Sequence, residues 1–166
     1  MTLRLILTRH AKSDWDDPFA SDHERVLNER GRLAAPKVGE WLKENGYVPD
    51  EVFCSDAART RETWKRLSST FSSAPEPSFT RRLYLAPDFA MFDLLKAATG
   101  KTVMVVAHNP GIAELADLIT ITPPQHSQFG RYPTCATMVA EFSVDNWTDI
   151  KPKSARVLDF VVPRDF

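Results

Sequence analysis

The chain has 166 residues, of which 43% are hydrophobic and 26% charged, close to the average of folded globular proteins. These proportions exclude a disordered chain, a collagen-like chain and a coiled coil, and we expect a single domain over residues 1–166 because a chain of this length can bury one core. With 21 basic and 22 acidic residues the net charge is −1, so the chain lacks the overall positive charge of a non-specific nucleic-acid-binding protein.

The first part of the chain predicts a strand, a loop and a helix. Leu3–Thr8 is a short apolar run typical of a β-strand, and residues 13–25, rich in Asp and Ser, are typical of a loop. Asn28 can cap a helix that extends to about Asn45. Pro36 lies inside this helix and predicts either a kink or a later start.

The middle of the chain continues this alternation. Glu51–Ser55 predicts a second strand, whose last residue or the Asp56 that follows can cap a helix. A loop is expected over residues 68–78. Pro87 then opens a third helix that extends to about Ala98.

The last part contains the clearest strand. Thr102–Ala107 is apolar on both of its faces, as expected of a strand between two helix layers. A helix to near Thr120 follows, with Asn109 as its cap. Residues 123–133 predict a polar loop, which either packs on the domain or contacts the substrate. Two further strands complete the chain: Thr137–Phe142 and Arg156–Val161. Strands that alternate with helices in this way predict α/β layers with a mostly parallel sheet.

No segment predicts a membrane or secretory location. No apolar run approaches the roughly 20 residues of a membrane span, and the first run, which starts at Leu3, is too short for the core of a signal peptide. Cys54 and Cys135 lie far apart and predict buried thiols, not a disulfide or a zinc site. We therefore expect a cytoplasmic protein with no membrane contact, no metal ion and no cofactor.

Histidine and arginine follow three of the predicted strands. Arg9 and His10 end the first strand, Arg59 lies in the helix after the second, and His108 ends the third. Ligands of open α/β sheets bind outside the carboxyl ends of the strands. The sequence therefore brings two histidines and two arginines to the edge where a site is expected.

These residue types suit a phosphoryl group. A guanidinium donates paired hydrogen bonds to phosphate oxygens, and the start of the helix after His108 offers free backbone N–H groups. A neutral, oriented imidazole can attack phosphorus. The pattern predicts a phosphate pocket in which one histidine is the nucleophile and the other, protonated, helps the arginines to hold the oxygens.

Structural explanations compete with this interpretation. A histidine at a strand end is commonly a hydrogen-bonded structural residue, and an arginine near a helix start is commonly a solvated charge. A metal site would also use two histidines, but neither strand carries an HxH or HExxH pattern or an acidic residue at ligand spacing. Placement alone leaves the phosphate pocket and the structural explanations open.

Three motifs at these strand ends resemble those of the histidine phosphatase superfamily, which has the phosphoglycerate mutase-like fold. Leu7–Ala11 resembles its Arg-His signature, Ser55–Thr63 its Ser-x-x-x-Arg-x-x-x-Thr segment, and Val106–Pro110 its second histidine segment. The order of the motifs also fits, and the similarity extends from Leu3 to about Phe142. The resemblance implies a three-layer α/β/α sandwich with a mostly parallel central sheet.

Finer similarity points to the small phosphohistidine phosphatase branch. Arg9–Ser13, Asp22–Leu27 and His108–Gly111 resemble segments of that branch, and the chain is similarly short, without an inserted cap domain. The resemblance implies that His10 is the nucleophile that accepts the phosphoryl group. It implies three further catalytic residues that bind this group: Arg9, Arg59 and His108.

Three more residues are candidates for substrate binding. Arg25 matches an arginine that the branch places near the pocket, although a salt bridge that orders the 13–25 loop explains it equally well. Ser13 is either a donor from this loop or a residue that shapes a turn. Asn109 either contacts the substrate or only caps its helix.

One departure from the wider family bears on the reaction. Phosphoglycerate mutases and many related phosphatases carry a general-acid Glu downstream of the second arginine, whereas residues 83–87 contain no carboxylate here. An alkoxide leaving group needs a proton donor, but imidazole, whose conjugate acid has a pKa of about 6.5, leaves without one. The departure favours cleavage of a P–N bond. Four acids could still supply a proton: Asp14, Asp16, Asp17 and Asp88.

The expected function is hydrolysis of phosphohistidine through a covalent intermediate on His10. Its partner would be a phosphorylated protein or a small phosphorylated compound, and neither nucleic acid nor membrane. Two alternatives stay open at this point. One is a phosphomonoesterase or mutase that acts on a small phosphorylated metabolite, and the other is a non-catalytic phosphate-binding module.

Overall fold

The structure, a computed structural model, describes all residues from Met1 to Phe166. Six strands form one sheet: β1 (Leu3–Arg9), β2 (Glu51–Ser55), β3 (Ser78–Thr80), β4 (Thr102–Ala107), β5 (Thr137–Phe142) and β6 (Ala155–Val161). Their order across the sheet is β3-β2-β4-β1-β5-β6. All pairs from β3 to β1 are parallel, and only β5 runs antiparallel to its neighbours. The sheet is therefore mostly parallel, as predicted.

Four helices cover the two faces of this sheet: α1 (Glu29–Glu44), α2 (Ala58–Ser68), α3 (Asp88–Leu95) and α4 (Gly111–Ile119). Helix α1 packs against α2, and α3 packs against α4. Each pair shares a separate apolar core with one face of the sheet. The arrangement is the three-layer α/β/α sandwich that the family resemblance implied.

Strand β4 shows how the two cores arise from one sequence. Val103 and Val105 belong to the core beneath α3 and α4, whereas Met104 and Val106 belong to the core beneath α1 and α2. Successive side chains of a strand point to opposite faces, so an uninterrupted apolar run contributes to both cores. Full burial of an aliphatic side chain stabilises the fold by about 1.5–3 kcal/mol.

Helix α1 confirms one local prediction and corrects another. The Asn28 side chain accepts a hydrogen bond from the Gly31 amide and caps the helix, as expected. The helix continues through Pro36, so the later start suggested by this proline is wrong. Packing of Ala35, Val38 and Leu42 against the core holds the helix together around it.

Three other boundaries differ from the predictions. Helix α2 begins after Ala57 without a side-chain cap, and α4 begins after Pro110 instead of at an Asn109 cap. Helix α3 ends at Leu95, before the expected Ala98. The loop expected over residues 68–78 ends in the short edge strand β3, whose three residues show too little apolar pattern to be recognised.

The strand order places the ends of β2, β4 and β1 side by side. Arg9, the last residue of β1, lies opposite Ala107, the last residue of β4. The His10 amide donates to the Ala107 carbonyl over 3.0 Å, so His10 and His108 leave the sheet as neighbours. No helix of the structure is both long and apolar enough to cross a membrane.

Candidate active site

Two histidine rings lie together at the carboxyl edge of the sheet. The ring centroids of His10 and His108 are 5.3 Å apart. Both side chains are buried, with 6% and 1% of their surface exposed. The parallel pairing of β1 with β4 causes this contact, since each histidine directly follows the last residue of its strand.

His10 is held as a neutral ring with one free nitrogen. Its Nδ1 lies 2.7 Å from the Ala11 carbonyl oxygen. Because a carbonyl only accepts hydrogen bonds, the neutral ring carries its hydrogen on Nδ1 and keeps its lone pair on Nε2. Burial lowers the pKa of His10 well below its usual value, and the nearby His108 and Arg9 lower it further. The ring therefore presents an unprotonated nitrogen at neutral pH.

His108 is fixed by the serine that ends β2. Its Nε2 lies 2.7 Å from Ser55 Oγ, and its Nδ1 is buried without a partner in the protein. Burial, followed by the charge of Arg59, lowers the pKa of His108 to about 3. A neutral His108 ring at neutral pH agrees with this pKa and differs from the protonated state expected from the sequence.

Two guanidinium groups accompany the histidines. Arg9 Nη1 donates to the Tyr132 carbonyl over 3.2 Å, and burial together with Arg59 lowers the pKa of Arg9. Arg59 is almost fully buried and donates from both terminal nitrogens to Asp22, over 2.6 Å to its carbonyl and 3.0 Å to its carboxylate. The Nε atoms of both arginines are buried without a partner.

Asp22 connects several residues at the edge of the site. Its carboxylate accepts hydrogen bonds from Arg59, Arg25 and the Tyr84 hydroxyl. Burial alone would raise the pKa of Asp22, but these three donors lower it well below its usual range. The carboxylate is therefore ionised at neutral pH and cannot serve as a proton donor there.

Thr63, four residues after Arg59, makes two buried hydrogen bonds beneath the site. Its hydroxyl accepts from the Ala11 amide over 2.9 Å and donates to the Arg59 carbonyl over 2.7 Å. Ala11 is also the residue whose carbonyl fixes the His10 ring. One buried hydroxyl thus sets the position of the His10 segment relative to the helix that carries Arg59.

Arg25 and Ser13 hold the 13–25 loop together. Arg25 donates to the Ser13 hydroxyl and, over 3.0 Å, to the Asp22 carboxylate. Its guanidinium carbon also lies 3.6 Å from the centre of the exposed Trp15 ring. These contacts agree with the loop-ordering alternative for Arg25, and they connect Arg25 to Arg59 through Asp22.

Asn109 holds a neighbouring loop instead of capping α4. Its Nδ2 donates to the carbonyl oxygens of Arg131 and Tyr132, over 2.9 and 3.1 Å. Tyr132 is fully buried and its hydroxyl donates to the Leu7 carbonyl, so this residue anchors the 123–133 loop on the core. The Oδ1 of Asn109 is buried without a partner.

The four acids considered as proton donors have no hydrogen bond to the histidines or arginines of the site. Carboxylate oxygens of Asp14, Asp17 and Asp88 each accept from a backbone amide within two residues of themselves. The carboxylate that does reach the arginines is Asp22. Asp22 belongs to the Asp22–Leu27 segment, which resembles the phosphohistidine phosphatase branch. Its contact with Arg59, however, depends on how the 13–25 loop folds.

Other residues of the site were present in the motifs without a predicted role. Ser55 and Thr63 are the first and last residues of the Ser-x-x-x-Arg-x-x-x-Thr segment. Tyr84 carried no signal in the sequence, and only the tertiary structure brings its ring to within 5.5 Å of His108.

The thiols of the two cysteines make no hydrogen bond with the histidines or arginines of the site. Cys54 and Cys135 are buried free thiols, which confirms their predicted state. Burial raises the pKa of both thiols, that of Cys135 to about 12, so neither forms a reactive thiolate at neutral pH.

Comparison with known proteins agrees with this geometry. The family model described as histidine phosphatase superfamily (branch 1) matches residues 5–83, which include Arg9, His10 and Arg59. An uncharacterised protein of Mycobacterium tuberculosis is 32% identical over 163 residues, which cover 94% of this chain and 99% of that protein. An uncharacterised chloroplast protein of Arabidopsis thaliana is 32% identical over 132 residues, which cover 70% of this chain and 59% of that protein.

A solved structure has the same fold over nearly the whole chain. It is the SixA protein of Agrobacterium tumefaciens, for which phosphohistidine phosphatase activity is proposed. It is 26% identical, has a TM-score of 0.78, and the match covers 97% of this chain and 98% of that chain. Together with the three strand-end motifs, these similarities show that the chain belongs to the histidine phosphatase superfamily, in its small SixA-like branch.

Proposed function

We propose that the protein hydrolyses phosphohistidine through a covalent phosphoryl intermediate on His10. The observation that carries this proposal is the state of His10: a buried neutral ring with its Nδ1 fixed by the Ala11 carbonyl and its Nε2 free. A histidine nucleophile needs both this charge state and this orientation.

In the first step the His10 Nε2 lone pair attacks phosphorus and the P–N bond of the substrate breaks. The electron pair of that bond returns to the substrate ring. When the other nitrogen of this ring carries a proton, the ring departs as neutral imidazole, so the enzyme supplies no acid. In the second step water attacks phosphorus, the bond to Nε2 breaks, and phosphate leaves with both protons of the water molecule.

The other three residues stabilise the charge on the phosphoryl oxygens. Arg9 and Arg59 donate from their guanidinium groups, which stay charged in the site. If Ser55 donates its hydroxyl hydrogen to Nε2 of His108, the neutral ring carries its own hydrogen on the unpartnered Nδ1. His108 then donates to a phosphoryl oxygen without being protonated.

The charge state of Asp22 supports P–N cleavage over P–O cleavage. A phosphate ester releases an alkoxide, which needs a protonated acid within hydrogen-bonding reach. The carboxylate joined to the site is that of Asp22, and its three hydrogen-bond donors keep it ionised. A leaving imidazole has no such requirement.

Trapping of the phosphoenzyme tests the proposal. The protein is mixed with a phosphoramidate whose phosphorus is labelled, and the reaction is quenched in alkali, in which phosphohistidine survives. We expect label on His10 and none on a His10→Ala variant, while His126→Ala, which changes a histidine bonded to Asp165, labels normally. Full turnover by His10→Ala would falsify the mechanism.

A comparison of substrates tests the specificity. A phosphohistidine peptide and phosphoglycerate are offered at equal concentration, and released phosphate is measured. We expect the peptide to be hydrolysed much faster. Faster hydrolysis of phosphoglycerate would contradict the assigned bond, and binding of the peptide without release would indicate a phosphate-binding module.

A further inference from the structure

A groove lined by unpaired basic side chains adjoins the site. Two connected depressions of about 240 and 280 Å³ share four residues, among them Arg30 and Arg164. Neither depression has an acidic residue in its lining. Five basic residues line this groove, which we call the basic groove: Lys12, Arg30, Lys37, Arg131 and Arg164.

The side chains of the basic groove make no ion pair within the protein. Elsewhere arginines are neutralised, as Arg32 and Arg66 are by the Glu62 carboxylate over 3.0 and 2.8 Å. Asp165 lies next to Arg164, but its carboxylate accepts from the Val162 amide and from His126. The groove is therefore a concentration of positive charge on a protein whose net charge is −1.

Two of the basic residues lie on segments that form the catalytic site. Lys12 is two positions after His10, and its carbonyl accepts from the Asn28 amide at the start of α1 over 3.0 Å. The Arg131 carbonyl accepts from Asn109, whose neighbour is His108. Thr134, which lines both depressions, precedes Cys135, whose amide donates to the His10 carbonyl over 2.9 Å, so the groove borders the segment that carries His10.

The groove is longer than one anionic group. Arg30 and Lys37 are seven residues apart on α1, which corresponds to about 10 Å along a helix. A single phosphate or carboxylate contacts only one end of such a row. Several carboxylates on one surface could contact the whole row.

We propose that the basic groove binds an acidic surface of the protein that carries the phosphohistidine. This inference rests on the proposed function and names its substrate class: a protein whose phosphohistidine lies beside a cluster of Asp and Glu side chains. A nucleic acid fits less well, because the 13–25 loop, which contacts Arg59 through Asp22, carries several acids: Asp14, Asp16, Asp17 and Glu24. A uniform polyanion would be repelled there, whereas a protein can place its acids at the groove alone.

Paired peptides and charge variants test the inference. Two phosphohistidine peptides of equal length are used, one with six flanking Glu residues and the other with six flanking Gln residues. The test variant is Arg30→Gln/Lys37→Gln/Arg164→Gln. The control variant, Lys43→Gln/Lys101→Gln/Lys151→Gln, removes three exposed charges that do not line the groove.

The inference predicts a selective loss. A cleft lined by charges of one sign raises the association rate of an oppositely charged partner by about tenfold or more. The test variant should therefore lose about tenfold in kcat/KM for the Glu peptide, while kcat stays unchanged. Hydrolysis of the Gln peptide should stay the same, and the control variant should behave as wild type. Added salt should remove the preference of wild type for the Glu peptide.

The outcomes separate this inference from the proposed function. If wild type hydrolyses both peptides equally and the test variant does too, the groove assignment is wrong and the function stands. If neither peptide is hydrolysed, the function is wrong.

The groove is then tested by fluorescence anisotropy with an unphosphorylated Glu peptide, which should bind wild type more tightly than the test variant. Tighter binding of an oligonucleotide of equal charge would overturn the proposed occupant.

Discussion

At the scale of single residues, His10 and His108 show how hydrogen-bond partners assign different roles to the same side chain. The Ala11 carbonyl binds Nδ1 of His10 and leaves Nε2 free, whereas the Ser55 hydroxyl binds Nε2 of His108 and leaves Nδ1 free. Burial keeps both rings neutral by lowering the pKa of each. This difference underlies the proposed roles of His10 as the nucleophile and of His108 as a hydrogen-bond donor.

Two of the three arginines of α2, Arg59 and Arg61, provide a matched pair for a test at this scale. Arg59 is buried beside the histidines, while Arg61 is exposed, lies over the Phe79 ring and donates to the Asp56 carbonyl. Arg59→Ala should lower kcat by about 10²–10³, because it removes a donor that stabilises the transition state. Arg61→Ala should change kcat by less than about twofold. Steady-state hydrolysis of a phosphohistidine peptide measures both, and equal losses would show that Arg59 is the wrong arginine.

At the scale of elements, helices α1 and α2 each make a close contact with the segment after β1. Thr63 joins this segment to α2, as described above. Gly31 brings α1 against its other side, where an added Cβ would lie 2.2 Å from the Lys12 carbonyl oxygen. Both helices therefore position His10 through backbone groups, not through its ring.

A methyl group at position 31 should disturb this contact. Gly31→Ala should lower the free energy of unfolding by about 1–3 kcal/mol, because overpacking forces α1 and the Lys12 backbone apart. It should also lower kcat, because the His10 segment moves with Lys12. Gly130→Ala is the control, since its Cβ would meet no atom within 4 Å. Urea unfolding and peptide hydrolysis measure the two effects, and unchanged values for Gly31→Ala would show that α1 does not constrain the site.

Loss of the Thr63 hydroxyl should affect both stability and catalysis. Thr63→Val leaves the buried Ala11 amide without an acceptor, which costs about 1–3 kcal/mol of unfolding free energy. Because the Ala11 carbonyl orients the His10 ring, kcat should fall as well. Thr63→Ser keeps the hydroxyl and should restore kcat. A Ser variant as slow as the Val variant would show that the methyl group, not the hydrogen bonds, matters.

At the scale of the whole molecule, the two neutral histidines make stability depend on pH. In the unfolded chain a histidine is protonated below a pKa of about 6.5. In the fold, burial keeps His108 neutral down to a pKa of about 3, and it lowers the pKa of His10 in the same direction. Between these values the unfolded state binds more protons than the native state, so stability falls as the pH falls below about 6.5.

The size of this effect follows from the shift at His108. A difference of one pKa unit corresponds to about 1.36 kcal/mol. The contribution of His108 to the free energy of unfolding should therefore be about 2 kcal/mol smaller at pH 5 than at pH 7.5. Urea unfolding at the two pH values measures the difference. A His108→Asn variant should lose about 2 kcal/mol less than wild type over this range. Equal losses in both proteins would contradict a neutral buried His108.

Patterns in the amino-acid sequence were sufficient to predict the layers of the fold and to select four candidate residues for the site. The apolar run of β4 predicts a strand buried on both faces, and the alternation around it predicts a mostly parallel sheet. In such a sheet the carboxyl ends of strands meet at one edge, so Arg9, His10 and His108 had to converge. Local patterns were sufficient here because strand periodicity and strand-end position are both properties of short segments.

The surroundings of these residues depend on contacts between distant parts of the chain, which the sequence patterns do not predict. The contacts of Asp22 with Arg59 and of Tyr84 with Asp22 join residues 37 and 62 positions apart. The charge state of His108 also differs from the expected one, because burial and the charge of Arg59 lower its pKa. Hydrogen bonds across long sequence separations, and the desolvation that shifts a pKa, arise only when distant segments pack together.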